Sequence, residues 1–142
     1  IELADLVESF VGIELDAQAI RAARRNAESK GIRNGEFISS DTDVALPGQL
    51  ARLDPTRSAV VLDPPRTGIH PPSIEVLRKS RPTQIVYISC HPATLARDLK
   101  LLCAEGLYQL ESVTPLDMFP QTQHVECVAD LRLNRTTVPV IA

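Results

Sequence analysis

Cys90 lies where an apolar run ends and a helical stretch begins, in the segment VYISCHPATLARD. A thiol at a helix start faces unpaired backbone N–H groups and the positive end of the helix dipole, and both favour the thiolate. Pro92 suits the first turn of such a helix. The position therefore indicates a nucleophile. Cys103, in a leucine-rich helical stretch, and Cys127, in an alternating apolar stretch, fit the commoner role of a buried cysteine.

Glu126 is the candidate for the proton transfer that nucleophilic catalysis also requires. It shares parity with His124 in a predicted strand, so both side chains should leave the strand on one side. Its apolar neighbours would partly desolvate the carboxylate, which suits a general base. A charge that protects a sheet edge accounts for Glu126 equally well. The residues alone leave both interpretations open.

Three further acids follow predicted strands: Glu14, Asp41 and Asp63. Glu14 is placed to accept hydrogen bonds from ribose hydroxyls, or simply to favour the dipole of the next helix. Asp41 suits an adenine amino group or a ribose, although a turn-forming aspartate is the commoner role. In VVLDPPRTG, two prolines present Asp63 rigidly. A plain Pro-Pro strand stop is the alternative.

These residues need elements that bring strand ends together. Short apolar runs predict strands at 10–15, 35–39, 58–63, 84–89, 107–119 and 124–133, and helical patterns occupy 16–31, 71–80 and 92–106. A Pro- and Gly-containing connection follows the second strand. The alternation predicts an α/β fold with a mostly parallel sheet, helices on both faces and an antiparallel final strand. Ligands of such sheets bind beyond the carboxyl ends of the strands, where the candidate residues fall.

Length and composition further limit the kinds of protein that this sequence can encode. The 142 residues predict one domain, 1–142. A net charge of −3 without a basic run argues against binding nucleic acid by bulk electrostatics. Three cysteines without paired spacing argue against a zinc site or disulfide framework and favour a reducing compartment such as the cytoplasm. No apolar run reaches the roughly 18 residues of a membrane helix. The abrupt start without Met suggests a fragment.

Four segments carry a family resemblance: VGIELDAQAIRAARRNA, VVLDPPRTGIH, VYISCHPATLARDL and LDMFPQTQHVE, in this order. From about Leu3 to Leu133 the chain closely resembles the catalytic domain of the RNA 5-methyluridine methyltransferases, which modify tRNA or ribosomal RNA. The resemblance implies a Rossmann-like class I methyltransferase fold and S-adenosylmethionine as cofactor. No metal ligand is predicted among the residues of this chain, because its histidines and cysteines show no ligand spacing. The resemblance also implies that the first strand, its glycine-rich turn and an additional RNA-binding domain lie upstream of residue 1. The isolated 142 residues are accordingly expected to show weak or no turnover.

The resemblance also assigns roles. Cys90 matches the nucleophile that adds to carbon 6 of uracil, and Glu126 matches the base that removes the carbon-5 proton. The cofactor-side positions match Glu14, Asp41 and Asp63, of which Asp41 lies where the family varies.

Four more residues have a possible place in this scheme. Arg66 and Arg97 are candidates for substrate contact, although Arg97 equally suits a solvated helix face. Phe119 is a candidate for stacking on a base, or for a core role. His91 stands where the family usually has Asn, and either tunes the thiolate or holds the loop. The target uridine is expected to flip out of its stack.

Two other functions remain open. Methyltransferases that act on amino groups of nucleic acids share the Asp-Pro-Pro segment, but continue with Tyr or Phe where this chain has Arg66. The Cys90 and Glu126 pair also argues against that reaction. The second alternative is a non-catalytic nucleotide-fold module that binds RNA or protein, which the expected absence of the cofactor loop favours.

Overall fold

The computed structural model describes residues 1–118, 120–122 and 125–134. Its helices are α1 (Ala17–Ser29), α2 (Thr42–Leu50), α3 (Pro71–Ser80) and α4 (Pro92–Leu102). Its strands are β1 (Phe10–Glu14), β2 (Gly35–Ser39), β3 (Ala59–Leu62), β4 (Gln84–Ser89), β5 (Tyr108–Leu116) and β6 (Glu126–Leu133). Within the described ranges, no helix combines the length and apolarity needed to cross a bilayer. The predictions for Phe119 and His124 lie outside the described residues.

The chain divides into two compact units, Ile1–Arg52 and the residues from Leu53 onward. The expectation of one domain stays a prediction. In the first unit, β1 and β2 pair in parallel, from Phe10 opposite Gly35 to Glu14 opposite Ser39.

Helix α1 begins after an aspartate cap and ends shortly before a glycine. Asp16 caps it by accepting a hydrogen bond from the backbone N–H of Gln18 at 2.7 Å. Ile20 and Ala27 are buried on one face. Gly31, just beyond the helix end, has a φ of 69°, a left-handed conformation that glycine adopts without steric cost.

Helix α2 occupies the segment that the sequence predicted only as a Pro- and Gly-containing connection, so that prediction missed a helix. Asp41 caps its first turn by accepting a backbone hydrogen bond of 2.8 Å. Leu46 and Leu50, one turn apart, are buried. Pro47 lies inside the helix and removes one backbone donor. Here the cap and the burial of two leucines outweigh the local preference of Pro and Gly against helix.

The second unit contains a four-stranded sheet of order β3-β4-β6-β5. Strands β3 and β4 are parallel, whereas β6 runs antiparallel to both β4 and β5. The predicted α/β class, with parallel strands followed by antiparallel ones, is confirmed.

Burial alternates along the two central strands, β4 and β6. One face of the sheet is buried, and its members are Ile85, Tyr87, Ser89, Cys127, Ala129 and Leu131. Helix α4 packs against this face, since Tyr87 donates a hydrogen bond to the α4 residue Asp98. The residues between them, such as Ile88 and Val128, are only half-buried. The second face therefore stays partly accessible within this sheet.

Candidate active site

Three candidate residues meet at one edge of the four-stranded sheet. Asp63 follows β3 directly, Cys90 follows β4, and Glu126 opens β6. Strands β3 and β4 are parallel, so they end at the same edge, and the antiparallel β6 begins there. The fold thus brings together residues that lie 27 and 36 positions apart in the sequence.

The β4–β6 ladder brings Cys90 and Glu126 to neighbouring positions in the fold. Ser89 pairs with Cys127 in the last step of this ladder. Cys90 lies in the bend directly after β4, and Glu126 is the first residue of β6, so both adjoin that last pair on the side of the sheet edge. Ser89 and Cys127 are buried, whereas Cys90 and Glu126 are half-buried. The two residues are therefore neighbours at a partly accessible edge of the sheet.

The backbone around Cys90 is held by its neighbours. His91 is the N-cap of α4, and its ring Nδ1 accepts a hydrogen bond of 3.3 Å from the backbone N–H of Thr94. Ser89 Oγ accepts a hydrogen bond of 3.1 Å from the backbone N–H of His91. Pro92 is the first helical residue, as predicted. Cys90 thus stands at the entry to a capped helix.

Asp63 begins a loop whose conformation is tightly defined. Its side chain is exposed, and Pro64 and Pro65 follow. A turn closes where Gly68 N–H donates to the Pro65 carbonyl at 2.9 Å, and Gly68 has a φ of 80°. Arg66 is exposed. The loop therefore presents a carboxylate at the same edge as Cys90.

Asp98 is the residue that the sequence interpretation missed. Its carboxylate is fully buried and accepts hydrogen bonds from Ile69 N–H, the Tyr87 hydroxyl and Arg97 Nε, each at 2.8 Å. The signal was present, because Asp98 occupies the same stripe of α4 as Leu95, Leu99 and Leu102. Arg97, a candidate for substrate contact, instead pairs with Asp98 and donates to the Thr67 carbonyl at 2.9 Å.

The remaining two candidates lie in the first unit, at the carboxyl ends of β1 and β2. Glu14 is exposed, and its Oε1 accepts a hydrogen bond of 2.8 Å from Asp16 N–H. Its second oxygen has no partner among the described residues. Asp41 is exposed and caps α2, so the turn-forming role weighed for it is present. The structure therefore brings Asp63, Cys90 and Glu126 together at one sheet edge, and Glu14 and Asp41 at another.

The other two cysteines differ from Cys90. Cys127 is 6% exposed and lies on the buried face. Burial raises the pKa of the Cys103 thiol, which lowers its thiolate fraction near neutral pH. Cys90 is partly exposed and precedes the 11-residue helix α4 by two positions, whereas Cys103 precedes only a three-residue 3-10 helix.

Comparison with known proteins identifies a family. The model of the tRNA (uracil-5-)-methyltransferase family matches residues 1–134. An uncharacterized RNA methyltransferase of Thermosynechococcus vestitus is 42% identical over 127 residues, which cover 89% of this chain and 27% of that protein. The chain thus spans about a quarter of the length of this curated relative.

Solved structures agree with this result. The Pyrococcus abyssi tRNA (uracil-54, C5)-methyltransferase, solved with S-adenosyl-L-homocysteine, is 36% identical with a TM-score of 0.75, covering 91% of this chain and 30% of that one. An rRNA methylase from Streptococcus thermophilus has a TM-score of 0.69 at 12% identity, with 92% of this chain and 76% of that one covered. The second likeness establishes the methyltransferase fold alone.

Proposed function

The chain belongs to the tRNA (uracil-5-)-methyltransferase family, and on this basis we propose that it carries the catalytic residues of an RNA methyltransferase acting on carbon 5 of uridine. The observation that carries the proposal is that Cys90 and Glu126, both half-buried, adjoin the last pair of the β4–β6 ladder at the sheet edge. This reaction needs a nucleophile and a base on adjacent atoms of one pyrimidine ring. Two residues that adjoin the same cross-strand pair lie close enough together to serve one ring.

Cys90 acts first in the proposed mechanism. Carbon 5 of uracil is too weak a nucleophile to attack a sulfonium methyl group. The Cys90 thiolate adds to carbon 6 and forms a carbon–sulfur bond, and the electron pair of the 5,6 double bond moves into an enolate. Carbon 5 is then nucleophilic and takes the methyl group. Covalent addition thus splits one difficult substitution into accessible steps.

Glu126 completes the reaction. After methyl transfer, carbon 5 holds both a methyl group and a hydrogen. The Glu126 carboxylate removes that proton, the electron pair rebuilds the 5,6 double bond, and the Cys90 thiolate leaves. Ring and nucleophile are both regenerated, and no oxidant or reductant is needed. A half-buried carboxylate at this position suits proton abstraction.

S-adenosylmethionine is the proposed cofactor, and it supplies the activated methyl group. The residues at the strand ends fit this cofactor, since exposed carboxylates accept hydrogen bonds from ribose hydroxyls and an adenine amino group. Glu14 has an oxygen without a partner among the described residues and is assigned to the ribose. Asp41 and Asp63 are assigned to the remaining polar groups of the cofactor.

The proposed substrate is a uridine of tRNA or ribosomal RNA, flipped from its stack to reach Cys90. The exposed Arg66 is assigned to the RNA side of the site. A net charge of −3 gives this chain little bulk attraction for phosphates, so an additional RNA-binding domain elsewhere in the protein is proposed to hold the RNA. The reducing conditions of the cytoplasm would keep Cys90 a free thiol.

Nucleoside analysis by mass spectrometry tests this function. Protein expressed from its complete reading frame, incubated with uridine-containing tRNA and rRNA and with S-adenosylmethionine, should yield 5-methyluridine. Cys90→Ala should abolish the product, whereas Cys103→Ala, the matched control, should retain it. Methylated amino groups that form equally well in Cys90→Ala would favour the amino-methylation alternative. No methylation of any RNA tested would favour the non-catalytic module.

A further inference from the structure

We propose that Asp98 is a positioning residue that locks the loop carrying Asp63 onto the helix that follows Cys90. This inference rests on the proposed function, because it assigns the loop to cofactor binding. Asp98 does not reach the reacting atoms itself in this scheme. It acts through the backbone of residues 66–69.

Three residues on one face of α4 contact successive backbone groups of this loop. Thr94 Oγ1 donates to the Arg66 carbonyl at 3.0 Å, and Arg97 Nη2 donates to the Thr67 carbonyl at 2.9 Å. Asp98 Oδ2 accepts from the Ile69 N–H at 2.8 Å. Positions 94, 97 and 98 share a helix face by their i, i+3, i+4 spacing. The loop is therefore fastened along one turn of helix.

The burial of Asp98 is costly enough to require an explanation. Its side chain is 0% exposed, and an ion pair in that setting is often less stabilising than apolar packing of equal volume. Arg97, 51% exposed, neutralises the charge at 2.7 Å, and the Tyr87 hydroxyl supplies another donor. Burial and the hydrogen bond to Asp98 raise the pKa of Tyr87, so the hydroxyl remains a donor at neutral pH. Each oxygen of the buried carboxylate therefore has a partner.

The loop is shaped to receive this carboxylate. A Cβ atom at Gly68 would collide with Asp98 Oδ2, and the φ of 80° also disfavours any other residue there. Gly68 therefore permits the close approach of the backbone to Asp98. The same loop begins at Asp63, five residues earlier. An anchor at residues 66–69 restricts the positions that Asp63 can adopt.

Calorimetric binding of S-adenosylhomocysteine, well below the unfolding temperature, tests the proposal in the protein expressed from its complete reading frame. Asp98→Asn is expected to weaken binding about tenfold, the scale of a lost hydrogen bond to a charged group. The KM for S-adenosylmethionine should rise similarly, while kcat at saturating cofactor falls less than about threefold. Arg97→Ala, on the exposed side of the pair, should produce a smaller loss of affinity in the same direction and covers the case that Asp98→Asn does not fold.

Tyr108→Phe is the matched control. Tyr108 is buried in the same sheet and donates to the Pro82 carbonyl at 3.0 Å, so the variant loses a buried hydrogen bond without touching the loop. It should lower the unfolding temperature and leave the affinity unchanged. Unchanged affinity in Asp98→Asn and Arg97→Ala would overturn the positioning role and leave the proposed function intact. A wild-type protein that binds no S-adenosylhomocysteine would overturn both.

Discussion

Cys90, directly after β4, and Glu126, the first residue of β6, both adjoin the Ser89–Cys127 pair that ends the β4–β6 ladder. The proposed mechanism uses the two groups at different times. The thiolate forms the covalent bond to the ring, and the carboxylate releases it. Substitutions at the two positions should therefore block the reaction at different steps.

Glu126→Gln should trap the enzyme on its substrate. An amide cannot take the carbon-5 proton, so the elimination that frees Cys90 stalls. Turnover should fall by about 10²–10⁴-fold, while a protein–RNA complex that survives denaturing electrophoresis accumulates with ordinary uridine. Glu111→Gln, at an exposed position of β5, is the control and should turn over normally. Full turnover in Glu126→Gln, or loss of activity without the complex, would contradict the assigned role.

Alkylation should distinguish the three thiols. Iodoacetamide near neutral pH should modify Cys90 first, because it is partly exposed at a helix start. Cys103 should react later and only as the pH rises beyond the usual range of thiols, because burial raises its pKa and so lowers its thiolate fraction. Cys127, 6% exposed, should react last. Peptide mass spectrometry over time gives the order. Cys103 reacting before Cys90 would refute the assignment.

His91 should be replaceable by Asn but not by Ala. Its ring Nδ1 caps α4 through Thr94 N–H, and an Asn side-chain oxygen performs the same function. His91→Asn should change the free energy of unfolding by less than about 0.5 kcal/mol, whereas His91→Ala should lose about 1 kcal/mol. Chemical denaturation measures both. Equal stability of His91→Ala and wild type would show that the cap contributes nothing.

Alanine substitutions at three glycines should distinguish the cost of backbone strain from the cost of steric contact. Gly48→Ala, inside α2 with nothing within 4 Å of the new Cβ, should be neutral or stabilising by up to about 1 kcal/mol. Gly31→Ala, equally open but at a φ of 69°, should cost about 1–2 kcal/mol. Gly68→Ala adds contact with Asp98 to a left-handed φ and should cost more than Gly31→Ala. Unfolding free energies in the reverse order would contradict the description of the loop.

The sequence was sufficient for features that local chemistry determines. The strand before Cys90, the helix after it and the Pro-Pro loop after Asp63 follow from apolar runs and prolines, and the structure has each of them. Helix α2 was missed, because Pro47 and Gly48 argue locally against a helix and the burial of Leu46 and Leu50 is not visible in the sequence. Tertiary burial overrides local propensity in such cases.

Contacts between residues far apart in the sequence were the other feature that the sequence could not predict. Parity predicted that Glu126 and His124 leave the strand on one side, but the strand pairing that brings Glu126 next to Cys90 joins parts of the sequence 36 positions apart. Asp98 was overlooked for a similar reason. A charged residue within a leucine stripe reveals its role only when Tyr87 and Ile69 are seen to donate to it.

The most direct test of the central claim uses RNA that carries 5-fluorouridine at the target position, incubated with the protein and S-adenosylmethionine. Glu126 can remove a proton from carbon 5 but not a fluorine, so the adduct should persist. Digestion and mass spectrometry should find the methylated nucleotide attached to the peptide that contains Cys90. Methylation without any adduct, or an adduct on Cys103 or Cys127, would contradict the account.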